Sequence, residues 1–382
     1  YSGGGPGWIL PGGGAARNVT FRPDRKFVAP YRLAMSTPTA PFHVLASISG
    51  GKDSAAMALH FAERGISFDR VFCDTGWEHR DTYAYIRETL EPAIGPIKWL
   101  RSEVELEGDA EAIAQELEAV LGHYSAMVRW ILKKAMFPSR VRRYCTEELK
   151  VTPIADYMRG AVGAAPWMVV SAVGIRAGES FARSQLPEWE ASNLGTKGKP
   201  MQAWTWRPLR EWTEADVIAI HKRHGLKPNP LYIRGASRVG CWPCIFARKA
   251  EVAMVARDDD ARIRVIERLE RVLTDKAVGR AVERAKTPVP DGLDDDAREV
   301  AEQLRDPGHW RNQRTFFGAG DKGRHWNFYD IRKTVEWANT DRGGRQFPMF
   351  SPLDEAAADG CMRWGMCETE APTPLVSLSS TG

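Results

Sequence analysis

The chain has 382 residues, of which 43% are hydrophobic and 27% are charged, a composition typical of soluble globular proteins. At about 150 residues per domain, this length indicates two or three domains, or one large domain with additions. The 53 basic and 49 acidic side chains leave a formal net charge of +4, so any contact with nucleic acid requires a local basic patch. The sequence has no apolar run of the roughly 18 residues that a membrane span needs, and its six cysteines are too few for a disulfide framework. We therefore expect a cytoplasmic protein without membrane contact.

The chain divides into three regions by composition. Residues 1–38 are dense in Gly and Pro without periodicity, which predicts a flexible N-terminal tail. Residues 39–250 alternate strand and helix patterns and are predicted to form one α/β domain. Residues 251–382 are first charged and helical and then rich in Gly and aromatic residues, which predicts a helical and irregular C-terminal region that contains cysteines.

The first elements follow a regular alternation. The apolar run 42–48 predicts a buried strand, the polar loop 49–54 follows it, and 55–64 predicts a helix that ends at a glycine. A second strand at 70–73 and a helix from about Asp81 repeat the pattern. Alternating strands and helices of this kind favour a doubly wound parallel sheet.

The later elements are longer and more polar. The patterns predict a long helix over 109–135, a strand over 167–173, a helix over 211–224 and a charged helical stretch over 258–302 that is broken near Pro288. From Phe316 onward the sequence has little periodicity. The fold class is therefore α/β, with a helical and irregular C-terminal extension.

The polar loop after the first strand carries the most specific signal, the run Ser49-Gly50-Gly51-Lys52-Asp53-Ser54. A loop between a buried strand and a helix points backbone N–H groups at one spot, and the helix dipole adds to their attraction for an anion. Paired glycines let the backbone approach a phosphate closely, while two hydroxyls and Lys52 supply further donors. Because the spacing is not that of the Walker P-loop, the run predicts an anion site of another kind.

This run resembles the PP-loop of the ATP pyrophosphatases, and its context resembles the phosphoadenosine phosphosulfate (PAPS) reductase family. The resemblance implies an adenine nucleotide alpha hydrolase-like fold and makes residues 39–250 a PP-loop nucleotide-binding domain. It also implies that the loop binds ATP together with Mg2+, or a ready-made adenylyl sulfate. With ATP, cleavage falls between the α- and β-phosphates, and Lys52 would neutralise charge on the leaving group.

Two later segments follow predicted strands, at the edge of a parallel sheet where ligands bind. Asp74 and Thr75 belong to a segment that resembles the family's "DTG" sequence. Gly174, Arg176 and Arg183 belong to a segment that resembles the family's G-x-R-x-x-E-S-x-x-R sequence, which lies near the nucleotide phosphates. The resemblance covers about residues 42–250. The candidate catalytic residues are Lys52, Asp53, Arg176 and Cys145.

The cysteines form a candidate metal site. Cys241 and Cys244 are a CxxC pair, which offers two thiolates, half of a tetrahedral site. In the iron–sulfur branch of the family a cysteine pair at the position of Cys145 joins the CxxC to hold a [4Fe–4S] cluster, but here a threonine takes the second place of that pair. Cys361 or Cys367 would then supply the fourth ligand, or both would close a four-thiolate site with the CxxC. A cluster, Zn2+ and buried thiols without metal all stay open.

Basic stretches flank these cysteines on both sides. They are Lys133, Lys134, Arg140, Arg142 and Arg143 before Cys145, and Arg234, Arg238, Arg248 and Lys249 around the CxxC. This density of positive charge favours binding of a polyanion, either the nucleotide or a nucleic-acid strand. The alternative is a solvated basic face without a ligand.

We therefore expect a PAPS-reductase-like enzyme that couples nucleotide chemistry to sulfur transfer, with a nucleic acid as candidate substrate and a protein as candidate sulfur donor, or to reduction of a sulfonucleotide. The chain departs from the family's reductases in lacking their Glu-Cys-Gly-x-x-His tail, since Glu368-Thr369-Glu370 follows its last cysteine. The alternative is a non-catalytic nucleotide-sensing or nucleic-acid-binding module with a structural metal site.

Overall fold

The computed structural model describes residues 42–139, 141–162, 168–193, 202–310, 314–317, 319–320, 326–327, 329–340 and 364. The predicted N-terminal tail lies outside these residues, as do Arg140, Cys361 and Cys367. Within this part of the chain, no helix has the length and apolar character needed to cross a membrane.

Six strands form the main sheet: β1 (Phe42–Ile48), β2 (Asp69–Asp74), β3 (Lys98–Arg101), β4 (Met168–Val173), β5 (Trp189–Asn193) and β6 (Gln202–Trp206). Their order is β3-β2-β1-β4-β6-β5, and all neighbours pair parallel except β5 with β6. The predicted doubly wound α/β fold is confirmed. The strand order reverses between β1 and β4, and ligands of open α/β sheets bind outside the carboxyl ends of the strands at such a point.

The α-helices in the described part of the chain are α1 (Lys52–Glu63), α2 (Arg80–Tyr85), α3 (Glu91–Ile94), α4 (Asp109–Leu121), α5 (Ala126–Lys134), α6 (Tyr144–Thr146), α7 (Thr152–Val162), α8 (Phe181–Ser184), α9 (Glu214–Arg223), α10 (Pro230–Ile233), α11 (Lys249–Asp258), α12 (Asp260–Ala285), α13 (Asp295–Gln303), α14 (Pro307–Trp310) and α15 (Ile331–Ala338). Single π-helical turns, Ile86–Leu90 and Glu147–Val151, follow α2 and α6, and a 3-10 turn, Ala177–Glu179, precedes α8. A small two-stranded sheet pairs β7 (Ala319–Gly320) with β8 (Trp326–Asn327).

The structure corrects one helix prediction and refines another. The predicted single helix over 109–135 is two helices, because Gly122 takes the left-handed conformation after α4 and the Ser125 hydroxyl caps the start of α5. The predicted helix over 211–224 begins later, at Glu214, where Thr213 and Asp216 form a reciprocal capping box.

The apolar core has two main clusters. The first joins the sheet to α1 and α9 and includes an aromatic stack in which Trp206 lies between Phe61 and Trp189, with ring centroids 5.0 and 4.9 Å apart. The second joins Trp77 and helices α4, α5, α11 and α12 to Phe316. This second cluster includes residues on both sides of the predicted boundary near residue 250, and the boundary itself stays a prediction.

The backbone leaving β4 approaches the first turn of α1 very closely. A Cβ atom placed on Gly174 would lie 2.9 Å from both the carbonyl carbon and the carbonyl oxygen of Asp53, and 3.0 Å from the nitrogen of Ser54. Real side chains do not tolerate such contacts with backbone atoms, so this crossing requires glycine. The crossing brings the end of β4 against the loop that follows β1.

A buried carboxylate of α12 holds two later segments of the chain, at Phe316 and at Ile331. Glu270 of α12 is 6% exposed, and its two oxygens accept hydrogen bonds from the backbone nitrogens of Phe316 and Ile331, each at 2.9 Å. Burial raises the pKa of Glu270 to about 7, against the smaller opposite effect of these two hydrogen bonds. Two short chain segments with little apolar pattern of their own are thus held by one side chain.

Gly174→Ala is expected to lower the free energy of unfolding by about 1–3 kcal/mol, because the added methyl group must push the end of β4 away from α1. Urea unfolding measures this loss. Gly178→Ala is the matched control, since its Cβ would meet no atom within 4 Å. Equal stability of the two variants would contradict the close crossing.

Glu270 predicts a pH dependence of stability. Since its pKa is higher in the folded protein than the ordinary value of 4.5, folding favours the protonated form. The corresponding stability is fully present below pH 4.5 and is lost as the pH rises through about 7, by about 3 kcal/mol at most. Urea unfolding of the wild type and of Glu270→Gln between pH 5 and 8 measures it. We expect the wild type to lose stability relative to the variant as the pH rises, and parallel curves would contradict the assignment.

Candidate functional site

The loop after β1 lies at the switch point of the sheet. Ser49 is exposed, while Gly50, Gly51 and Lys52 are buried. Gly50 has a φ of +71°, and a Cβ there would lie 2.8 Å from Cγ2 of Thr82, so both the conformation and the space require glycine. This tight turn is what brings the first turn of α1 directly behind β1.

Side-chain hydrogen bonds fix the shape of the turn. The hydroxyls of Ser49 and Ser54 are 3.1 Å apart, and the Ser54 hydroxyl donates to the carbonyl oxygen of Gly51 at 2.9 Å. From outside the turn, the side chain of Asn229 donates to the carbonyl oxygen of Gly50 at 3.3 Å. Gly51, the N-cap position of α1, supplies no side-chain cap, which is the arrangement that leaves a helix N-terminus able to receive an anion.

Lys52 is held by partners on three sides. Its ammonium lies 3.3 Å from a carboxylate oxygen of Glu214, 3.9 Å from one of Asp53 and 4.8 Å from the ring centroid of Tyr232. Its backbone nitrogen donates to the Tyr232 hydroxyl at 3.2 Å, and its carbonyl oxygen accepts from Nε2 of His221 at 2.9 Å. The cation is therefore preorganised at the first residue of α1.

The segment after β4 meets this loop through an ion pair. The guanidinium of Arg176 donates to the carboxylate of Asp53, and both side chains are largely buried. The Glu179 carboxylate accepts from the backbone nitrogen of Arg176 at 2.8 Å and also pairs with Arg183. The structure thus brings together Asp53, Gly174 and Arg176, three of the residues that the sequence singled out, and links Arg183 to them through Glu179.

Asp74 and Thr75 occupy the end of β2, where they are buried within a dense network. Asp74 accepts hydrogen bonds from the backbone nitrogen of Gly76 at 3.0 Å, from the Tyr83 hydroxyl at 2.8 Å and from Arg101 at 2.6 Å. The Thr75 hydroxyl donates to Glu78 at 2.8 Å. These contacts give both residues a role in the rigidity of the strand end, and their contact with a nucleotide stays a prediction.

The CxxC loop is clamped by the residues that follow this strand end. The backbone nitrogen of Trp242 donates to the carbonyl oxygen of Trp77 at 2.7 Å, and the indole nitrogen of Trp77 donates to the carbonyl oxygen of Pro243 at 3.1 Å. Arg262 of α12 lies under the Trp77 ring at 4.3 Å from its centroid and donates to the Glu78 carbonyl oxygen at 3.3 Å. Sequence analysis assigned no role to Trp77 or Arg262, although Trp77 directly follows the "DTG" segment.

The four described cysteines are free thiols, and all of them interact with Lys150. Burial raises the pKa of Cys241 to about 11, and the Lys150 ammonium opposes that rise. Burial also raises the pKa of Cys145, with a further contribution from Cys244. Cys241 is the leading one of the groups that raise the pKa of Lys150 above its ordinary value. The predicted convergence of Cys145 with the CxxC pair agrees with these interactions.

A metal centre is not assembled by the described residues alone. Among them, no group of three or more His, Cys, Asp or Glu side chains has the arrangement of a metal site. Cys361 and Cys367, the two further predicted ligands, lie outside the described residues. The thiols present therefore do not by themselves fit an iron–sulfur cluster or Zn2+, and we derive no chemical step through either.

Comparison with known proteins identifies the family. Residues 43–247 match the family model of the phosphoadenosine phosphosulfate reductase domain. An uncharacterized 37.8 kDa protein from the gpa 5' region of Escherichia phage 186 is 32% identical over 350 residues, which cover 85% of this chain and 96% of that protein. The adenosine 5'-phosphosulfate reductase of Allochromatium vinosum is 32% identical over 105 residues, which cover 27% of this chain and 35% of that enzyme.

Among solved structures, the PAPS reductase from Candida auris in its phosphate complex is similar with a TM-score of 0.36 and 19% identity, over 53% of this chain and 82% of that one. The domain match covers more than half of the present chain, and the phage relative extends the similarity into the C-terminal region. The chain belongs to the phosphoadenosine phosphosulfate reductase family.

Proposed function

We propose that this chain binds an adenine nucleotide, ATP or an adenylyl sulfate, with the loop Ser49–Ser54 and couples chemistry on it to sulfur transfer or reduction. The observation that carries the proposal is the meeting of this loop, the start of α1 with its glycine N-cap and the Asp53–Arg176 pair at the switch point between β1 and β4. A phosphate or sulfate group there would face a helix N-terminus and two cations.

Lys52 would act by exchanging partners. Glu214, its nearest carboxylate, is 39% exposed, so the existing ion pair is partly solvated and weak compared with a bond to a bound phosphate. On nucleotide binding, the ammonium would move from Glu214 to the β-phosphate or sulfate. With ATP, a nucleophile attacks the α-phosphorus and pyrophosphate leaves, and Lys52 opposes the charge that develops on it.

The other predicted residues take supporting roles in this proposal. Arg176, fixed by Asp53, would contact the phosphates, and Arg183 would hold Glu179 in place. Cys145 would supply the thiol nearest to the nucleotide. Mg2+ is expected to accompany ATP. A metal centre formed by the CxxC with Cys361 and Cys367, or by Cys145 and the CxxC with one of them, stays a prediction that elemental analysis of the purified protein tests.

Trp364 contacts the side chains that hold the backbone of Lys52. The ring of Trp364, which is 4% exposed, packs with its centroid 5.1 Å from that of His221 and 6.1 Å from that of Tyr232. These are the two side chains that bond to the backbone of Lys52. Trp364 therefore supports the start of α1 through these two side chains.

Trp364→Ala is expected to weaken ATP binding about five- to tenfold, because Tyr232 and His221 lose the ring that packs against them. Isothermal titration with ATP measures the effect. Trp364→Phe should retain most of the affinity, and Trp337→Ala, which removes a half-exposed indole from α15, is the matched control. The same affinity in Trp364→Ala and Trp337→Ala would show that the packing has no bearing on the loop.

Lys52→Ala should leave the fold intact and weaken the binding of ATP and adenylyl sulfate about 10- to 100-fold, the usual worth of a hydrogen bond to a charged group. Lys222→Ala, at an exposed position of α9, removes the same charge away from the loop. Unchanged ATP affinity in Lys52→Ala would contradict the role of this loop in phosphate binding.

A second measurement distinguishes an enzyme from a non-catalytic module. An enzyme releases pyrophosphate from ATP in the presence of a suitable acceptor, whereas a module would bind ATP without turnover.

A further inference from the structure

Four exposed arginines lie within four residues of Cys145, Cys241 or Cys244 along the chain. We call them the arginine rim: Arg142, Arg143, Arg238 and Arg248. Within the described part of the chain, none of their guanidinium groups forms an ion pair, whereas neighbouring Arg234 pairs with Asp81 and Asp258. Four exposed cations without an ion-pair partner on neighbouring segments make a positive surface that attracts anions.

The two basic stretches meet beside the CxxC. The guanidinium of Arg143 lies 5.3 Å from the ring centroid of Phe246, which follows the CxxC, and Cys244 contributes to the raised pKa of Cys145. At the other end, the carbonyl oxygen of Val239, the residue after Arg238, would lie 3.5 Å from a Cβ on Gly51. The chain that carries the rim therefore runs from the thiols to the side of the phosphate loop.

Two carboxylates beside the rim are already engaged, while Glu147, four residues after Arg143, is exposed and forms no ion pair among the described residues. Glu148 pairs with Lys134 at 2.8 Å. Glu251 is buried and accepts hydrogen bonds from the Ser237 hydroxyl at 2.7 Å and from the backbone nitrogen of Arg248 at 2.9 Å. Against the four arginines of the rim only the Glu147 carboxylate remains among these neighbours, so the rim keeps a net positive charge that is available to a ligand.

We infer that the arginine rim binds the phosphate backbone of a nucleic-acid strand and holds it across the thiols. Guanidinium groups bind phosphates bidentately, and several phosphates at regular spacing match several exposed arginines better than one nucleotide does. An acidic protein partner fits less well, because protein interfaces are anchored by buried aromatic and apolar side chains. Val141 is the one exposed large hydrophobic side chain that the described residues of the two stretches offer. The inference deepens the proposed function by naming the surface for its acceptor.

Fluorescence anisotropy with a labelled single-stranded DNA oligonucleotide, the same sequence as RNA, and a DNA duplex tests the rim at several KCl concentrations. For the wild type, we expect the logarithm of the association constant to fall linearly with the logarithm of the KCl concentration. The slope is about 0.7 per neutralised phosphate for single strands. Arg142→Ala with Arg143→Ala should weaken binding at least about tenfold and reduce that slope by about 1.4, if each arginine neutralises one phosphate. Arg238→Ala with Arg248→Ala should do the same.

Arg271→Ala with Arg284→Ala is the matched control, since it removes two exposed arginines of α12 that have no ion pair among the described residues. Affinity that falls equally in this control, or no binding by the wild type at about 50 mM KCl, would overturn the inference; the second result would leave an acidic protein as the candidate ligand. Displacement of the oligonucleotide by saturating ATP would also overturn it, because the rim would then serve the nucleotide alone.

The outcomes separate this inference from the proposed function. ATP affinity is measured on the same rim variants, and oligonucleotide affinity on Lys52→Ala. Normal ATP binding without oligonucleotide binding contradicts only the rim. Oligonucleotide binding with ATP affinity that is indifferent to Lys52→Ala contradicts only the nucleotide role of the loop.

Discussion

The crossing of the β4 exit over the first turn of α1 is the constraint on which the candidate site depends. Backbone atoms meet there at a distance that only Gly174 permits. Two residues later, Arg176 pairs with Asp53 and so joins the strand end to the helix a second time. Because the helix begins at Lys52, this double attachment fixes the position of the cation and of the N–H groups that would receive a phosphate.

The C-terminal region contributes to the site rather than standing apart from it. Arg262 supports the Trp77 ring, and Trp77 in turn holds both sides of the CxxC loop. Glu270 accepts a hydrogen bond from the backbone nitrogen of Phe316, and the centroid of the Phe316 ring lies 6.1 Å from that of Trp77. Residues beyond the matched domain thus determine where the thiols lie, which is consistent with a phage relative that is similar over nearly its whole length.

The sequence predicts the parts of the fold that depend on local pattern. The strand over 42–48 and the glycine turn after it are found as predicted, because a continuous apolar run and paired glycines are local signals. The strands β3, β5 and β6 were missed. β3 is only four residues long, and β5 is a short antiparallel edge strand, so neither has the long apolar run that identifies a buried strand.

The residues of the candidate site also fall into those that local pattern predicts and those that it does not. Lys52, Asp53, Gly174 and Arg176 could be found from sequence because each follows a predicted strand at the ligand-binding edge. Glu214, Trp77 and Arg262 could not, because their roles arise from contacts between residues far apart in the chain, such as the 3.3 Å approach of Glu214 to Lys52. Helix α15 was missed since its eight residues follow a stretch without periodicity.

A structure of the protein with bound ATP or adenylyl sulfate tests the central claim most directly. We predict that the β-phosphate or sulfate lies within hydrogen-bond distance of the backbone nitrogens at the start of α1, with the Lys52 ammonium moved from Glu214 to the ligand. A nucleotide bound elsewhere on the molecule, with Lys52 still paired to Glu214, would contradict it.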